Sequence, residues 1–313
     1  MPIVSRPEDF NVSDLFIDLY SVMEIPVLLK LEQFNFSGSI KMKTAKALID
    51  EAEESRGLHQ GDFIITSTSG NLGVALSIIA AARGYRFHCV TDSRCNPATV
   101  ALMEAHGASV ESVSTPHPTG GLLKTRLDRV AQLVSTTPGA IAIDQYHSDA
   151  NPAVHQSKTG AEILEAIPDL SVIFVGVGTA GTAMGLARYL YLHAPHVKLI
   201  GIDSVGSVSF GGKPSPRHIP GLGSGVPPAQ LDINKLDECL YVPEVETITN
   251  CRLMAQRGFL FGGSTGTVIA GVRRWLSEQV SLPEGRMVAI APDGGERYLE
   301  KIYNDLWVSE HYL

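Results

Sequence analysis

The chain has 313 residues, 44% of them hydrophobic and 19% charged, and a formal charge of −8. That length calls for two cores in one chain, the hydrophobic content excludes a disordered chain, and the negative charge argues against nucleic acid or an anionic membrane as the main partner. No apolar run approaches the ~20 residues that span a bilayer, and "VALSIIAAA" is the longest notable one. The opening "MPIVSRPEDF" lacks the basic and apolar regions of a secretion signal, so a cytoplasmic enzyme is expected. Cys89, Cys95, Cys239 and Cys251 are scattered without C-x-x-C spacing or paired histidines, so neither a metal site nor a disulfide framework is expected.

In chain order, the first pattern is a helix over "IKMKTAKALIDEAEE", entered through the turn "NFSGS" with Lys41 at its start. An ammonium there faces the positive end of the helix dipole, which lowers its pKa and suits a nucleophilic amine. On this turn alone, a solvated lysine beside Lys43 and Lys46 explains the residue as well. Next come the strand "DFIITST", the Ala-rich helix "NLGVALSIIAAARG" and the strand "RFHCVT". The turn "STSGNLG" sets Thr68, Ser69, Gly70 and Asn71 at a helix start. That arrangement receives an anion, although an ordinary N-cap needs only one such residue. The helix "ATVALMEAHG" with a glycine cap, the strand "SVESV", the amphipathic helix "GLLKTRLDRVAQLV" and the strand "AIAID" complete the first half.

Alternation then resumes with "VIFVGV", "TAMGLARYLYLHA", "KLIGID", "TITNCRLMAQRG", "TGTVIAGVRRWLSEQ" and "MVAIAPD". The order predicts α/β architecture, two three-layer α/β/α domains with largely parallel sheets. The Gly/Pro-rich stretch 205–228 has no period and reads as a binding loop. Two glycine turns punctuate this half. Gly176-Val-Gly178-Thr-Ala-Gly181 matches the dinucleotide fingerprint, with Asp203 where a ribose partner would stand. Gly178, Thr179, Ala180, Gly181 and Thr182 cup a single phosphate monoester at least as well. "FGGSTGTVIAG" offers the Ser264 or Thr265 hydroxyl, or simply caps a helix. A dehydrogenase needs one glycine turn. A phosphorylated aldehyde cofactor handling amino acids uses all four: a lysine, a phosphate cup, a hydroxyl for its ring nitrogen and a carboxylate site.

With these motifs in order over nearly its whole length, the chain resembles the cysteine synthase family of fold-type II enzymes that use pyridoxal 5′-phosphate. "NFSGSIK" is similar to the family's Asn-Pro-x-Gly-Ser-x-Lys, with Phe36 in place of proline. The resemblance implies that Lys41 holds the cofactor as an imine and carries the α-proton. It implies that Asn71 contacts the cofactor's phenolic oxygen, and that Thr68, Ser69, Gly70 and Asn71, with Gln145 of "DQYHSDANP", grip the substrate carboxylate. The family's Gly-Thr-Gly-Gly-Thr phosphate cup is met by Gly178–Thr182, with Ala180 for one glycine. Ser264 falls on the ring-nitrogen hydroxyl, and Gly221 opens the mouth motif "GLGSG". Asp203 then has no ribose to bind and is a strand-end residue.

Beyond the cofactor motifs, "STSGNLGVAL", "GSVSFGGKP", "IPGLG", "GGSTG" and "PDGGERYL" resemble a particular branch of the family. Its members join O-phospho-L-serine to L-glutamate, by way of an aminoacrylate, in the 2,3-diaminopropionate pathway of siderophore and peptide-antibiotic biosynthesis. The product there is N-(2-amino-2-carboxyethyl)-L-glutamate. Tyr146 after Gln145 fits that branch. A departing phosphate needs a cation to meet it, and Arg126, Arg217 and Lys43 are the candidates, each otherwise a solvated surface charge. The implied alternative is a cysteine synthase acting on O-acetylserine or O-phosphoserine with sulfide; a NAD-dependent dehydrogenase is the remote one. The expected domains are 42–146, binding substrate, and 1–41 with 147–313, binding the cofactor. The resemblance also implies a homodimer.

Overall fold

The computed structural model describes residues 3–312; Met1, Pro2 and Leu313, and with them part of the opening "MPIVSRPEDF", lie outside the described residues. Ten strands form among the described residues: β1 (Phe16–Asp18), β2 (Leu28–Leu31), β3 (Phe63–Ser67), β4 (Arg86–Asp92), β5 (Ser109–Val113), β6 (Ala140–Ile143), β7 (Leu170–Gly176), β8 (Lys198–Ser204), β9 (Glu238–Val242) and β10 (Arg286–Ala291). The chain separates into two compact units. One is built from the residues up to Asn11 and Phe34–Asn151, the other from Val12–Gln33 and the chain from Pro152 onward. Among the described residues, no helix is long and apolar enough to cross a membrane.

The first unit holds a four-stranded, wholly parallel sheet in the order β5-β4-β3-β6. Successive side chains of a strand point to opposite faces, and Ile64 and Ile65 accordingly enter different cores. Ile64 joins Leu48, Ile49, Leu76, Ile79 and Phe87, beneath the helices Lys41–Arg56 and Asn71–Arg83. Ile65 joins Val90 and Val130, the last from the helix Gly121–Thr136. A sheet with a helix layer on each face follows. The helix Pro97–Ala105 is capped at its C-terminus by His106 and not by the glycine after it; Gly107, at φ +83°, makes the turn that follows.

The second unit's sheet has the order β1-β2-β10-β7-β8-β9. All neighbours are parallel except β1 and β2, the single antiparallel pair. Val268, Ile269, Val272 and Trp275 of the helix Gly263–Glu278 pack on Phe174, Ile200, Ile202 and Ala289, and the Phe174 and Trp275 rings meet edge-on at 5.3 Å. The short strands β1, β2 and β9 and the terminal helix Asp305–Tyr312 carry no periodic signal and escape the sequence reading. The stretch 205–228 forms no helix or strand, as its composition predicts.

Both sheets have a switch point where strand order reverses, and ligands of open α/β sheets bind beyond the strand ends there. In the first unit it lies at the carboxyl ends of β3 and β6, which run into Thr68–Gly70 and Asp144–Tyr146. In the second it lies at the ends of β7 and β10, which run into 177–180 and 292–295.

Candidate active site

In the first unit, Asn35 builds the turn that delivers Lys41. Its Oδ1 accepts from the Ser37 backbone N–H at 3.0 Å and the Ser37 hydroxyl at 2.8 Å, while its Nδ2 donates to the Ser39 carbonyl at 2.9 Å. Gly38 makes the bend at φ +65°. The helix then begins at Lys41 itself. Lys41 is half-buried, and burial pushes its pKa down from 10.5 to about 8. The sequence alone assigned that shift to the helix dipole; the structure assigns it to desolvation. Among the described residues the amine has no hydrogen bond or ion pair. The position of Phe36, where the family has proline, is filled by an exposed ring resting against Phe10 at 5.5 Å between centroids.

The depressed pKa sets a pH dependence. Below about pH 8 the amine is protonated whether the chain is folded or not, and its burial costs stability. Between about 8 and 10.5 the folded chain has released a proton the unfolded chain still binds, so stability rises with pH across that window. The same titration governs nucleophilicity. Attachment of a free aldehyde to the cofactor-free protein is expected to accelerate with a midpoint near pH 8, against 10.5 for an ordinary lysine; stopped-flow absorbance across pH 6–11 checks it.

The residues expected to hold the substrate cluster at the first unit's switch point. Thr68 is buried and its hydroxyl accepts from the Gly70 N–H at 3.3 Å; Asn71 opens the helix behind it. Ser69 lies between them, partly exposed. Gly73, the third residue of that helix, is required, because a Cβ there would stand 2.5 Å from Met103 Sδ and 2.9 Å from Thr68 Cγ2. Gln145 is buried, and Asn151 holds it: Asn151 Nδ2 donates to the Gln145 carbonyl at 2.9 Å, and Thr44 of the Lys41 helix donates to Asn151 Oδ1 at 3.3 Å. The lysine helix and the glutamine turn are thereby tied together.

Arg126 corrects the expectation of a solvated charge. It is 5% exposed, with its Nε 3.1 Å from Oδ2 of the buried Asp92 at the carboxyl end of β4. That pair lacks hydrogen-bond alignment, and Nη1, also buried, has no acceptor. The Tyr146 phenol lies within reach of the same guanidinium; burial pushes its pKa up and Arg126 draws it back. Lys43 is also buried rather than solvated.

In the second unit the turn after β7 leads into the helix Gly181–His193, whose first-turn N–H groups have no intrahelical acceptor. Ala180 stands at its N-cap with φ +70°, a left-handed conformation that costs a non-glycine residue ~1 kcal/mol. The family's glycine fits there without strain. Thr182 Oγ1 lies 3.3 Å from Nε2 of the fully buried His155, whose Nδ1 is 3.0 Å from Thr159 Oγ1. Residues His155–Gly160 form a π-helical turn, which brings His155 under the cup. Gly185 permits that approach, since a Cβ would stand 2.4 Å from the Pro152 carbonyl. The sequence reading missed His155 because nothing local marks it.

Ser264 begins the helix preceding β10, is 4% exposed, and among the described residues its hydroxyl has no hydrogen-bond partner. Gly221, at φ +115°, lies on it: a Cβ there would be 2.3 Å from Ser264 Oγ. The Gly221 carbonyl in turn would lie 3.3 Å from a Cβ on Gly178. One continuous surface therefore joins Gly178 of the cup, Gly221 of the mouth motif and the Ser264 hydroxyl.

Asp203 is fully buried at the end of β8, with Oδ1 accepting from the Ser204 N–H at 2.7 Å. Burial pushes its pKa up, opposed by the Ser207 and Ser209 hydroxyls, so it reaches no ribose. Arg217 is half-buried rather than solvated. Its guanidinium fills the space beside Gly223, and Nη1 donates to the Leu222 carbonyl at 3.4 Å, bracing the mouth loop.

Each unit thus carries a distinct share of groups. The first has a desolvated, partnerless amine and an anion-receiving turn. The second has a helix-end cup and, on the buried residue Ser264, a hydroxyl with no hydrogen-bond partner among the described residues. Taken separately, the first unit's desolvated amine and the second unit's helix-end cup are each of a kind that a phosphorylated aldehyde uses, whereas a dinucleotide has no use for the amine and Asp203 is buried.

Comparison with known proteins agrees. Residues 19–293 match the family model described as pyridoxal-phosphate dependent enzyme. The chain is 36% identical over 293 residues to the N-(2-amino-2-carboxyethyl)-L-glutamate synthase of Ralstonia nicotianae, covering 93% of this chain and 86% of that protein. Among solved structures, an O-ureido-L-serine-bound mutant of O-ureido-L-serine synthase superposes with a TM-score of 0.87 at 29% identity, covering 99% of this chain and 98% of that one. The O-acetylserine-dependent cystathionine β-synthase of Helicobacter pylori gives 0.86 at 29% identity, covering 97% and 100%.

Proposed function

Since the chain belongs to the pyridoxal-phosphate-dependent enzyme family, we propose that it replaces the β-substituent of an O-activated L-serine, joining O-phospho-L-serine to L-glutamate with release of phosphate. Similarity to the Ralstonia nicotianae synthase and to O-ureido-L-serine synthase supports the reaction class. When bound, pyridoxal phosphate supplies an electron sink for bond breaking next to the amino-acid nitrogen.

The chain's own residues do the rest. The Lys41 amine, about half deprotonated near pH 8, would tether the cofactor and would move the proton between its Nζ and the substrate α-carbon. Thr68, Ser69, Gly70, Asn71 and Gln145 hold the substrate carboxylate. Gly178–Thr182 would hold the cofactor phosphate, and the Ser264 hydroxyl would serve its ring nitrogen as a neutral partner. As the β-carbon–oxygen bond breaks, the phosphate takes the electron pair beside Arg126. The glutamate amine then forms the new carbon–nitrogen bond at that carbon and gives up one proton to the released phosphate.

The observation that carries the choice of phosphate is Arg126, a buried guanidinium with an Nη1 that finds no acceptor among the described residues. Substrate binding thus falls to the first unit and cofactor-phosphate binding to the second. The pathway in this reading is 2,3-diaminopropionate supply for siderophore or peptide-antibiotic assembly. The four free cysteines accord with a reducing, cytoplasmic setting, and the assembly proposed is a homodimer.

Incubation with O-phosphoserine and L-glutamate is expected to yield N-(2-amino-2-carboxyethyl)-L-glutamate and one phosphate per product, read by mass spectrometry and phosphate assay. Turnover only with sulfide, giving cysteine, would replace this reading by a cysteine synthase.

A further inference from the structure

The mouth loop is held from behind by a carboxylate that the proposed chemistry does not use. Glu244 is the first residue of the helix Glu244–Ala255 and is buried. An acidic residue in a first helical turn normally just faces the helix dipole. Here the carboxylate spans two other segments. Its Oε1 accepts from the His218 N–H at 3.1 Å and the Ile219 N–H at 2.8 Å; its Oε2 accepts from the His218 N–H at 3.0 Å and the Tyr312 hydroxyl at 2.8 Å. Tyr312 comes from the terminal helix Asp305–Tyr312. The rings of His218 and Tyr312 meet edge-on at 5.8 Å, and those of His218 and His311 at 4.7 Å.

What Glu244 holds bears directly on the site. Ile219 rests on Gly263, where a Cβ would be 2.3 Å from Ile219 Cγ2. The Pro220 carbonyl lies 3.5 Å from the Tyr298 hydroxyl, which donates to Asp293 Oδ2 at 2.6 Å. Gly221 then lies on Ser264 and beside Gly178. Residues 218–221 are therefore a short strap, clamped at one end by Glu244 and touching at the other both the ring-nitrogen hydroxyl and the cup.

We propose that Glu244 and Tyr312 form a clasp that positions the 218–221 strap over Ser264, making the helix Asp305–Tyr312 part of the catalytic geometry. Both are positioning residues: they act through Gly221 and touch neither substrate nor cofactor. The inference rests on the reading of Ser264 and Gly178–Thr182 as cofactor contacts. Glu244→Gln weakens the charge-assisted bonding to the strap, and Tyr312→Phe removes one donor to Glu244 Oε2 while keeping the ring.

Glu244→Gln is expected to speed hydrogen exchange of the 218 and 219 amides in the cofactor-free protein by about tenfold, the scale of one charged hydrogen bond weakened. In the loaded enzyme it is expected to lower kcat by about tenfold with bound cofactor per chain unchanged and its fluorescence shifted, because a small misplacement suffices to slow catalysis. Tyr312→Phe is expected to do both to a lesser degree, about threefold. Ser264→Ala serves as the reference for the site itself and is expected to shift the cofactor fluorescence. If it does, while both clasp variants keep the kinetics and fluorescence of the unaltered enzyme, the clasp is overturned and the site stands. If Ser264→Ala leaves the fluorescence unchanged, both are overturned. Unaltered exchange at 218 and 219 in Glu244→Gln also overturns the clasp.

Discussion

Lys41→Ala is expected to lower β-replacement turnover by about 10,000-fold, since it deletes the covalent tether and the proton carrier together. The reasons lie in one turn of chain. Asn35 binds Ser37 and Ser39, Gly38 bends, and Lys41 becomes the first residue of the helix. Its amine is desolvated to a pKa of about 8, while an ordinary lysine at 10.5 would be almost wholly protonated at neutral pH. Lys43 does not replace it: residues two apart project from different faces of a helix. Borohydride reduction of the loaded protein followed by peptide mapping is expected to mark Lys41 alone, and the alanine variant to retain no reducible label. A label on Lys43, or turnover surviving in Lys41→Ala, would remove the centre of the proposed chemistry. Circular dichroism shows whether the variant is folded.

Gly221→Ala is expected to lower kcat/KM by about 100-fold, the penalty for a misplacement on the order of 1 Å at a reacting centre. The added Cβ would be 2.3 Å from Ser264 Oγ and 3.3 Å from the Tyr298 hydroxyl, so one of them must shift. Either the Ser264 hydroxyl turns away from its place or the loop moves, and both disturb the contact between the mouth motif and Ser264. At φ +115° the alanine is also strained, by ~1–3 kcal/mol. Urea denaturation reads that strain, and kinetics of the folded enzyme read the displacement. An enzyme with full kcat/KM and only reduced stability would show that the contact between the mouth motif and Ser264 has no part in catalysis.

Most of the regular structure, and the order of the site's turns, were legible in the sequence. Helix caps, glycine turns and apolar strands are local, depending on residues within about one turn of each other. β5 falls on residues 109–113 as read, and Gly84 ends its helix at φ +75°. The strands β1, β2 and β9 were not legible, because three to five residues of mixed pattern acquire strand geometry only when a neighbour pairs with them.

Motif order likewise carries the proposal of which residues serve the cofactor, since a turn's N–H groups and hydroxyls converge by local geometry alone. What the tertiary structure decided is burial and company. It placed Arg126 against Asp92, closed Asp203 away from any ligand, and attributed the Lys41 shift to desolvation. It set His155 under Thr182, and Glu244 against the mouth loop and Tyr312. Those partners are 27 and 68 residues apart in the last two pairs, Thr182 with His155 and Tyr312 with Glu244. The field and solvent exposure felt by a side chain depend on whatever packs beside it, and no spacing along the chain encodes that.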